Sequence, residues 1–208
     1  MRWTALLLAL HWAPEVAGAA DSQDPAAEAD LSSGAADRGG PAPTAEFQAR
    51  LNGRYLPVLG DEEVQPLLDE AVDEAVSHMT WAFRPFARYR LRKTARQCPW
   101  YDLELTEELF TLHCGDDGAW VSRLDNDGGP LIDEGEAFEV IMEVREPAVT
   151  MTVQDHRGGQ RTTWTLEGAD DLTVDVHIFS DRHLPEPLVW SLRYHRHSAT
   201  RPIYSNPR

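Results

Sequence analysis

The fold of this chain is decided by residues 138–196, which read FEVIMEVREPAVTMTVQDHRGGQRTTWTLEGADDLTVDVHIFSDRHLPEPLVWSLRYHR. Apolar or small side chains recur at every second position in five runs of this stretch, and mostly polar residues lie between them. The alternating rows are Phe138, Val140, Met142 and Val144; Val149, Met151 and Val153; Thr162, Trp164 and Leu166; Leu172, Val174, Val176 and Ile178; and Leu188, Trp190, Leu192 and Tyr194. A period of two indicates antiparallel strands with one buried face and one solvated face. The connections are short and rich in turn residues, so we predict a β-meander.

Three further strands are predicted upstream, over residues 100–105, 109–114 and 119–124. A hairpin centred on Thr106 would place Leu103 opposite Leu109, and Cys98 opposite Cys114. Directly opposed residues lie about 4.5–5.5 Å apart at Cα, which is within disulfide reach. We therefore predict a cross-strand disulfide between Cys98 and Cys114; two free thiols are the alternative.

A helix is predicted from Glu62 to Met79, because its apolar residues, Leu67 and Leu68 among them, fall on one face at helical spacing. Asp61 is the expected N-cap, although Pro66 favours a start nearer Gln65. A second helical piece is expected over residues 81–91. With the eight strands, this predicts a mainly β domain with an N-terminal helix. Its meander closes into a barrel or, alternatively, curves as an open sheet around the helix.

Charge is segregated along the helical region. Acidic residues dominate residues 61–74, and cationic residues dominate residues 84–96. One interpretation is a basic patch that binds an anionic ligand. The favoured interpretation is complementarity to the helix dipole, together with pairing to acids on the outer face of the sheet.

The overall composition disfavours two classes of partner. The 208-residue chain has a formal net charge of −16, which opposes binding to nucleic acid or to an anionic membrane surface. Lys93 is its only lysine against many arginines, which suggests a GC-rich bacterial genome.

The N-terminus is typical of a secretory signal. Arg2 supplies a positive charge, residues 4–12 are apolar, and Ala17-Gly18-Ala19 fits a cleavage site. We predict a signal peptide over residues 1–19, a disordered linker over 20–45, a folded domain over 46–197 and a loose tail over 198–208. A periplasmic or secreted location follows, and no apolar run is long enough for a transmembrane helix.

No motif in the chain names a reaction. The signatures of nucleotide-binding loops, hydrolases and zinc proteases are all missing from the sequence. Asp125, Asp127 and Glu136 fit positions of a calcium loop, but Pro130 occupies a position that requires glycine. His195 and His197 form an H-x-H pair without evident further ligands. We therefore predict a protein that is not an enzyme and has neither metal nor cofactor.

The pattern of an exported domain with a helix and an eight-strand meander resembles the lipocalin-like (calycin) secreted proteins of bacteria. Gly53-Arg54-Tyr55 is similar to the G-x-W start of lipocalins, with Tyr in place of Trp. The resemblance covers residues 47–197 and implies a closed barrel that holds a small apolar ligand.

The first functional hypothesis is therefore an exported binding protein for a small hydrophobic molecule. Its expected ligand contacts are adaptable or aromatic residues of the inner rows, namely Met142, Met151, Trp164, Trp190 and Tyr194. Alternatively these residues form a solid core, and the protein is a module that binds another envelope protein. An outer-membrane barrel is disfavoured by the charged helix and the cysteines.

Overall fold

The computed structural model describes residues 42–126, 130–133 and 136–197 of the chain. The predicted signal peptide, most of the predicted linker and the predicted tail lie outside the described residues. The described residues contain three helices: α1 (Ala45–Leu51), α2 (Asp61–Ser77) and α3 (Arg84–Thr94). The strands are β1 (Gly53–Pro57), β2 (Tyr101–Leu105), β3 (Leu109–Cys114), β4 (Trp120–Arg123), β5 (Leu131–Asp133), β6 (Glu136–Arg145), β7 (Ala148–Asp155), β8 (Gly158–Glu167), β9 (Asp171–Ser180) and β10 (Leu184–Arg196).

The strands form one sheet in the order β4-β3-β2-β1-β10-β9-β8-β7-β6-β5, and every neighbouring pair is antiparallel. The meander predicted from residues 138–196 is confirmed as β6 to β10. All members of its alternating rows are buried except Val140, which is half-buried. Alternation in the sequence therefore identified the inner face of the sheet.

The prediction of eight strands was too low, because β1 and β5 are short. β1 inserts between β10 and β2, so it joins the two ends of the meander. β5 lies within residues 125–136, which the sequence analysis treated as a loop. The result is a mainly β, nearly closed barrel in which β4 and β5 are the two ends of the strand order.

A side chain bridges the remaining seam. Asn126 follows β4, and its Oδ1 accepts a hydrogen bond from the Met142 backbone N–H on β6 at 2.5 Å. Its Nδ2 donates to the Met142 carbonyl at 3.1 Å. Asn126 has a φ of +60°, a conformation that asparagine tolerates better than most residues. The amide thus replaces the backbone pairing that a further strand would supply.

We expect Asn126→Ala to lower the free energy of unfolding by about 1–3 kcal/mol, because both backbone groups of buried Met142 lose a partner. The measurement is urea denaturation followed by circular dichroism. Asn126→Gly is the control for conformation, since glycine accepts a positive φ but cannot form the bridge. If the glycine variant is as stable as the wild type, the side-chain bridge contributes nothing.

The helices differ from prediction mainly at their ends. α2 begins at Asp61 and not near Gln65, and Gly60 is its N-cap. The Gly60 N–H donates to Glu63 Oε2 at 3.1 Å, so the helix starts before Pro66. α3 runs three residues beyond the predicted piece and carries Pro85 in its first turn. None of the helices in the described part of the chain is long and apolar enough to cross a membrane.

The segregated charges pair between the two helices. Arg88 Nε lies 2.6 Å from Asp73 Oδ1, and Arg92 Nε lies 3.0 Å from Asp69 Oδ1. Arg84 donates to the Ser77 and Met79 carbonyls at the end of α2. Arg84, Arg88 and Arg92 therefore serve helix capping and ion pairing, and the favoured interpretation was right that these cations are paired. For Arg88 and Arg92, the partner acids lie on α2 and not on the sheet.

Helix α1 was not predicted. Thr44 Oγ1 accepts the Phe47 N–H at 3.2 Å and caps the helix. Phe47 and Leu51 are buried, and the Tyr55 hydroxyl on β1 donates to the Leu51 carbonyl at 2.9 Å. These contacts fix the start of β1, where Gly53 opens the strand.

The predicted register of the β2–β3 hairpin was wrong by three residues. Leu103 faces Leu112, and Cys114 faces Tyr101. The turn is wider than predicted: Leu105 pairs with Phe110, so residues 106–109 form the loop, and within it the Thr106 hydroxyl accepts the Leu109 N–H at 2.9 Å. This register buries Phe110 and Leu112 on the same face as Leu103, which the predicted register would not do.

Candidate functional site

A short segment crosses the barrel between α3 and β2. We call residues 95–100 the strap. Cys98 on the strap is disulfide-bonded to Cys114 at the end of β3, with the two Cα atoms 5.5 Å apart. Because Cys114 faces Tyr101 in the sheet, the bond joins the strap to β3 and does not link opposed strand residues.

Two further hydrogen bonds hold the strap. The Tyr194 hydroxyl of β10 donates to the Cys98 carbonyl at 3.1 Å. The Gly115 N–H donates to the Trp100 carbonyl at 2.9 Å. Gly115 has a φ of +60°, and a Cβ there would lie 2.8 Å from Pro99 Cγ, so a larger residue would push the strap away.

A pocket lies between the strap and the inner face of the barrel. Its walls come from the strap, from the end of α3, from the β3–β4 turn and from five strands, β2, β3, β8, β9 and β10. The lining residues are Thr94, Arg96, Gln97, Cys98, Tyr101, Leu112, Cys114, Asp117, Gln160, Thr162, Trp164, Val176 and Trp190. The space between them, including solvent at the mouth, is about 570 Å³, and about 60 Å³ accommodates the centres of water molecules.

Of the predicted ligand contacts, the structure places Trp164 and Trp190 in this lining. Met142, Met151 and Tyr194 are buried in the core and do not line this pocket. Met142 and Met151 face each other across β6 and β7, and Tyr194 supports the strap. The structure therefore brings two of the five together, and the other three pack as core.

Aromatic rings form the floor of the pocket. Tyr101 meets Trp164 edge-on, with ring centroids 6.2 Å apart and planes at 87°. The ring of Phe110 packs against the ring of Trp164 with centroids 5.2 Å apart, and the ring of Tyr194 packs against that of Tyr101 with centroids 4.9 Å apart. Such contacts hold the rings in place, so this part of the pocket is preformed.

Burial raises the pKa of both Tyr101 and Tyr194 well above the ordinary value. Both hydroxyls are therefore neutral in the folded protein at physiological pH. Free tyrosine ionises near pH 10. The stability that depends on protonated Tyr101 and Tyr194 is therefore complete below about pH 10, and it is lost as the pH rises through the pKa values of the folded protein. Neither tyrosine can act as an anion in the pocket near neutral pH.

Three polar atoms of the lining have no hydrogen-bond partner among the described residues: Trp164 Nε1, Gln97 Oε1 and Gln160 Oε1. Gln160 was missed in the sequence analysis, although it lies two residues before Thr162 in the same alternating row. Gln97 lies on the strap, where no periodic pattern exists to mark which side chains face inward.

The histidines and acids considered as metal ligands lie elsewhere. His195 Nδ1 lies 2.8 Å from Asp171 Oδ1 in an exposed cross-strand pair, and His177 faces Val189, away from His195. In residues 42–126, 130–133 and 136–197, no three His, Cys, Asp or Glu side chains are grouped so that they could hold a metal ion. Asp127, one of the acids considered as a calcium ligand, lies outside the described residues.

No family model matches the chain, and no curated protein matches it. Among solved structures, it is similar to apo lipid binding protein 8 of Caenorhabditis elegans. The identity is 8%, the TM-score is 0.39, and the match covers 74% of this chain and 98% of that chain. Since these values are too low to carry a functional argument, the proposals below rest on this chain's own residues.

Proposed function

We propose that this protein is an exported, non-enzymatic binding protein that holds a small hydrophobic ligand inside its barrel. The observation that carries the proposal is the pocket beneath the strap, which is enclosed by inner-face side chains of five strands. Trp164, Trp190 and Val176 supply apolar surface there. Concave, preformed and mainly apolar pockets with a few polar groups are typical of small-molecule sites.

The disulfide supports the export part of the proposal. Disulfides persist in oxidising compartments such as the periplasm or the extracellular space, and Cys98 and Cys114 are the chain's only cysteines. A signal peptide over residues 1–19 would deliver the chain to such a compartment.

A ligand held in the pocket should be lost when the pocket is filled. We expect native mass spectrometry of protein purified from its exported pool to show a stoichiometric small molecule, identified after denaturation. Val176→Phe places a ring in the lining and should abolish the adduct. Val176→Ala, at the same position, leaves the pocket open and should keep it. Thermal melting checks that both variants fold, since overpacking can cost about 1–3 kcal/mol.

Two outcomes would contradict this function. One is a wild-type protein that remains free of any adduct even after incubation with a lipid and metabolite extract. The other is a folded Val176→Phe variant that carries the same adduct as the wild type, which would place the ligand elsewhere.

The second candidate is a module that binds another envelope protein, and one observation favours it. Four aromatic side chains, Trp81, Phe83, Phe86 and Tyr89, are exposed on α3 and just before it, with Trp81 80% exposed. Lys93 Nζ lies 4.2 Å from the centre of the Tyr89 ring. Aromatic side chains are enriched at protein interfaces. Under this candidate the Val176 variants would behave alike, and Trp81→Ala would weaken the interaction.

A further inference from the structure

We propose that the ligand of this pocket is a compact, uncharged aromatic molecule that carries both a hydrogen-bond acceptor and a hydrogen-bond donor. The inference rests on the proposed function and names the chemistry of the ligand. It follows from three properties of the lining: the unpartnered polar atoms, the aromatic walls and the small volume.

The need for an acceptor comes from Trp164. Its side chain is 1% exposed, and Nε1 can only donate. A buried N–H without a partner costs free energy, and nearly all such groups in native proteins are satisfied. Nε1 has no acceptor among the described residues, and an acceptor on the occupant of the pocket would satisfy it.

The need for a donor comes from Gln97. Its Nε2 donates to the Leu59 carbonyl at 3.1 Å. Because a carbonyl can only accept, this bond fixes the orientation of the amide and leaves Oε1 as the unpartnered end. An oxygen acceptor in this position requires an N–H or O–H from the occupant.

Gln160 can satisfy either kind of group. Its Nε2 donates to Thr162 Oγ1 at 3.0 Å, and its Oε1 has no partner in the described chain. A hydroxyl both donates and accepts, so Thr162 tolerates the opposite orientation of this amide. Gln160 therefore adapts to the ligand, whereas Trp164 and Gln97 select it.

The shape and the charge of the pocket lining narrow the class of ligand further. Tyr101, Trp164 and Trp190 offer aromatic surfaces, against which a flat ring packs well. The enclosed space of about 60 Å³ is smaller than the roughly 150 Å³ of a closed cavity that binds benzene, so a single ring would extend into the open mouth and a long acyl chain would not be enclosed. Arg96 and Asp117, both in the lining, carry opposite charges, so the lining favours neither an anionic nor a cationic ligand.

The test compares three probes of similar size on the full chain: phenol, which donates and accepts; anisole, which only accepts; and toluene, which does neither. Binding is followed by isothermal titration calorimetry. We expect phenol to bind about tenfold or more tightly than toluene, with anisole between them. Equal affinity for the three probes would overturn the inference, because water would then satisfy the polar atoms.

Variants assign the polar contacts. Trp164→Phe keeps a ring and removes the N–H, and Gln97→Leu keeps the approximate shape and removes the amide. Each should weaken phenol binding about tenfold more than it weakens toluene binding, because toluene makes no polar contact. Gln154→Leu is the matched control, since Gln154 pairs with Glu139 and does not line the pocket. If Trp164→Phe does not fold, Gln97→Leu decides the question alone.

The outcomes separate this inference from the proposed function. If all three probes bind equally and Val176→Phe abolishes binding of each, the pocket binds ligands but does not select polar aromatic ones. If no probe binds and the exported protein is free of any adduct, the proposed function itself fails.

Discussion

Replacing Cys98 and Cys114 together by alanine should lower the free energy of unfolding by about 3 kcal/mol. The two cysteines are 16 residues apart, and a cross-link over such a loop restricts the unfolded chain by roughly this amount. In the folded state the bond also holds the strap against β3. The measurement is urea denaturation of the full chain under oxidising conditions.

Reductant provides the control for the disulfide variant. Wild-type protein in reductant should unfold at the same urea concentration as the double alanine variant, and reductant should have no effect on that variant. If the variant and the oxidised wild type share a midpoint, the bond does not stabilise the fold. Because both sulfurs line the pocket, we also expect weaker ligand binding when the bond is absent.

The parts of the fold that could be predicted share one property. Their apolar residues recur with a regular period over many residues, and the tertiary structure follows that period. Residues 138–196 alternate with a period of two over five strands, so the inner rows were identified almost completely.

The elements that were missed or misplaced are short, and side-chain hydrogen bonds decide them. Helix α1 is only 7 residues long, and β5 is only 3. The β2–β3 register depends on the Thr106 hydroxyl, and closure of the barrel depends on the Asn126 amide. Neither bond leaves a periodic signal in the sequence. Each depends on a single side chain, which binds the backbone of the same turn in Thr106 and the backbone of a distant strand in Asn126.

The candidate site was only partly predictable, for a related reason. Trp164 and Trp190 belong to long alternating rows, so the period-two pattern predicts that their side chains face inward. Gln160 lies on the same face of its strand as Trp164, but it is polar and was therefore not noticed in a pattern of apolar residues. Gln97 and the rest of the strap are irregular backbone held by the disulfide and by Tyr194, and only the three-dimensional structure shows that they cover the pocket.

Adjacent leucines on α2 show how far helical spacing alone can mislead. The sequence analysis assigned both Leu67 and Leu68 to the apolar face of this helix. In the structure Leu68 is 2% exposed, whereas Leu67 is 47% exposed. Residues 100° apart on a helix cannot both lie at the centre of one contact, and the buried stripe runs through Val64, Leu68, Val72 and Ala75.

This difference predicts a large contrast between two chemically identical substitutions. We expect Leu68→Ala to lower the free energy of unfolding by about 2–5 kcal/mol, because it leaves a cavity where α2 packs against the core. Leu67→Ala should change it by no more than about 0.5 kcal/mol, since its side chain is largely solvated. Both are measured by urea denaturation, with the disulfide intact.

Alanine is at least as good a helix former as leucine, so helix propensity cannot produce the contrast. If the two variants are equally destabilised, α2 is rotated about its axis relative to this structure. If neither is destabilised, the helix does not form part of the folding core.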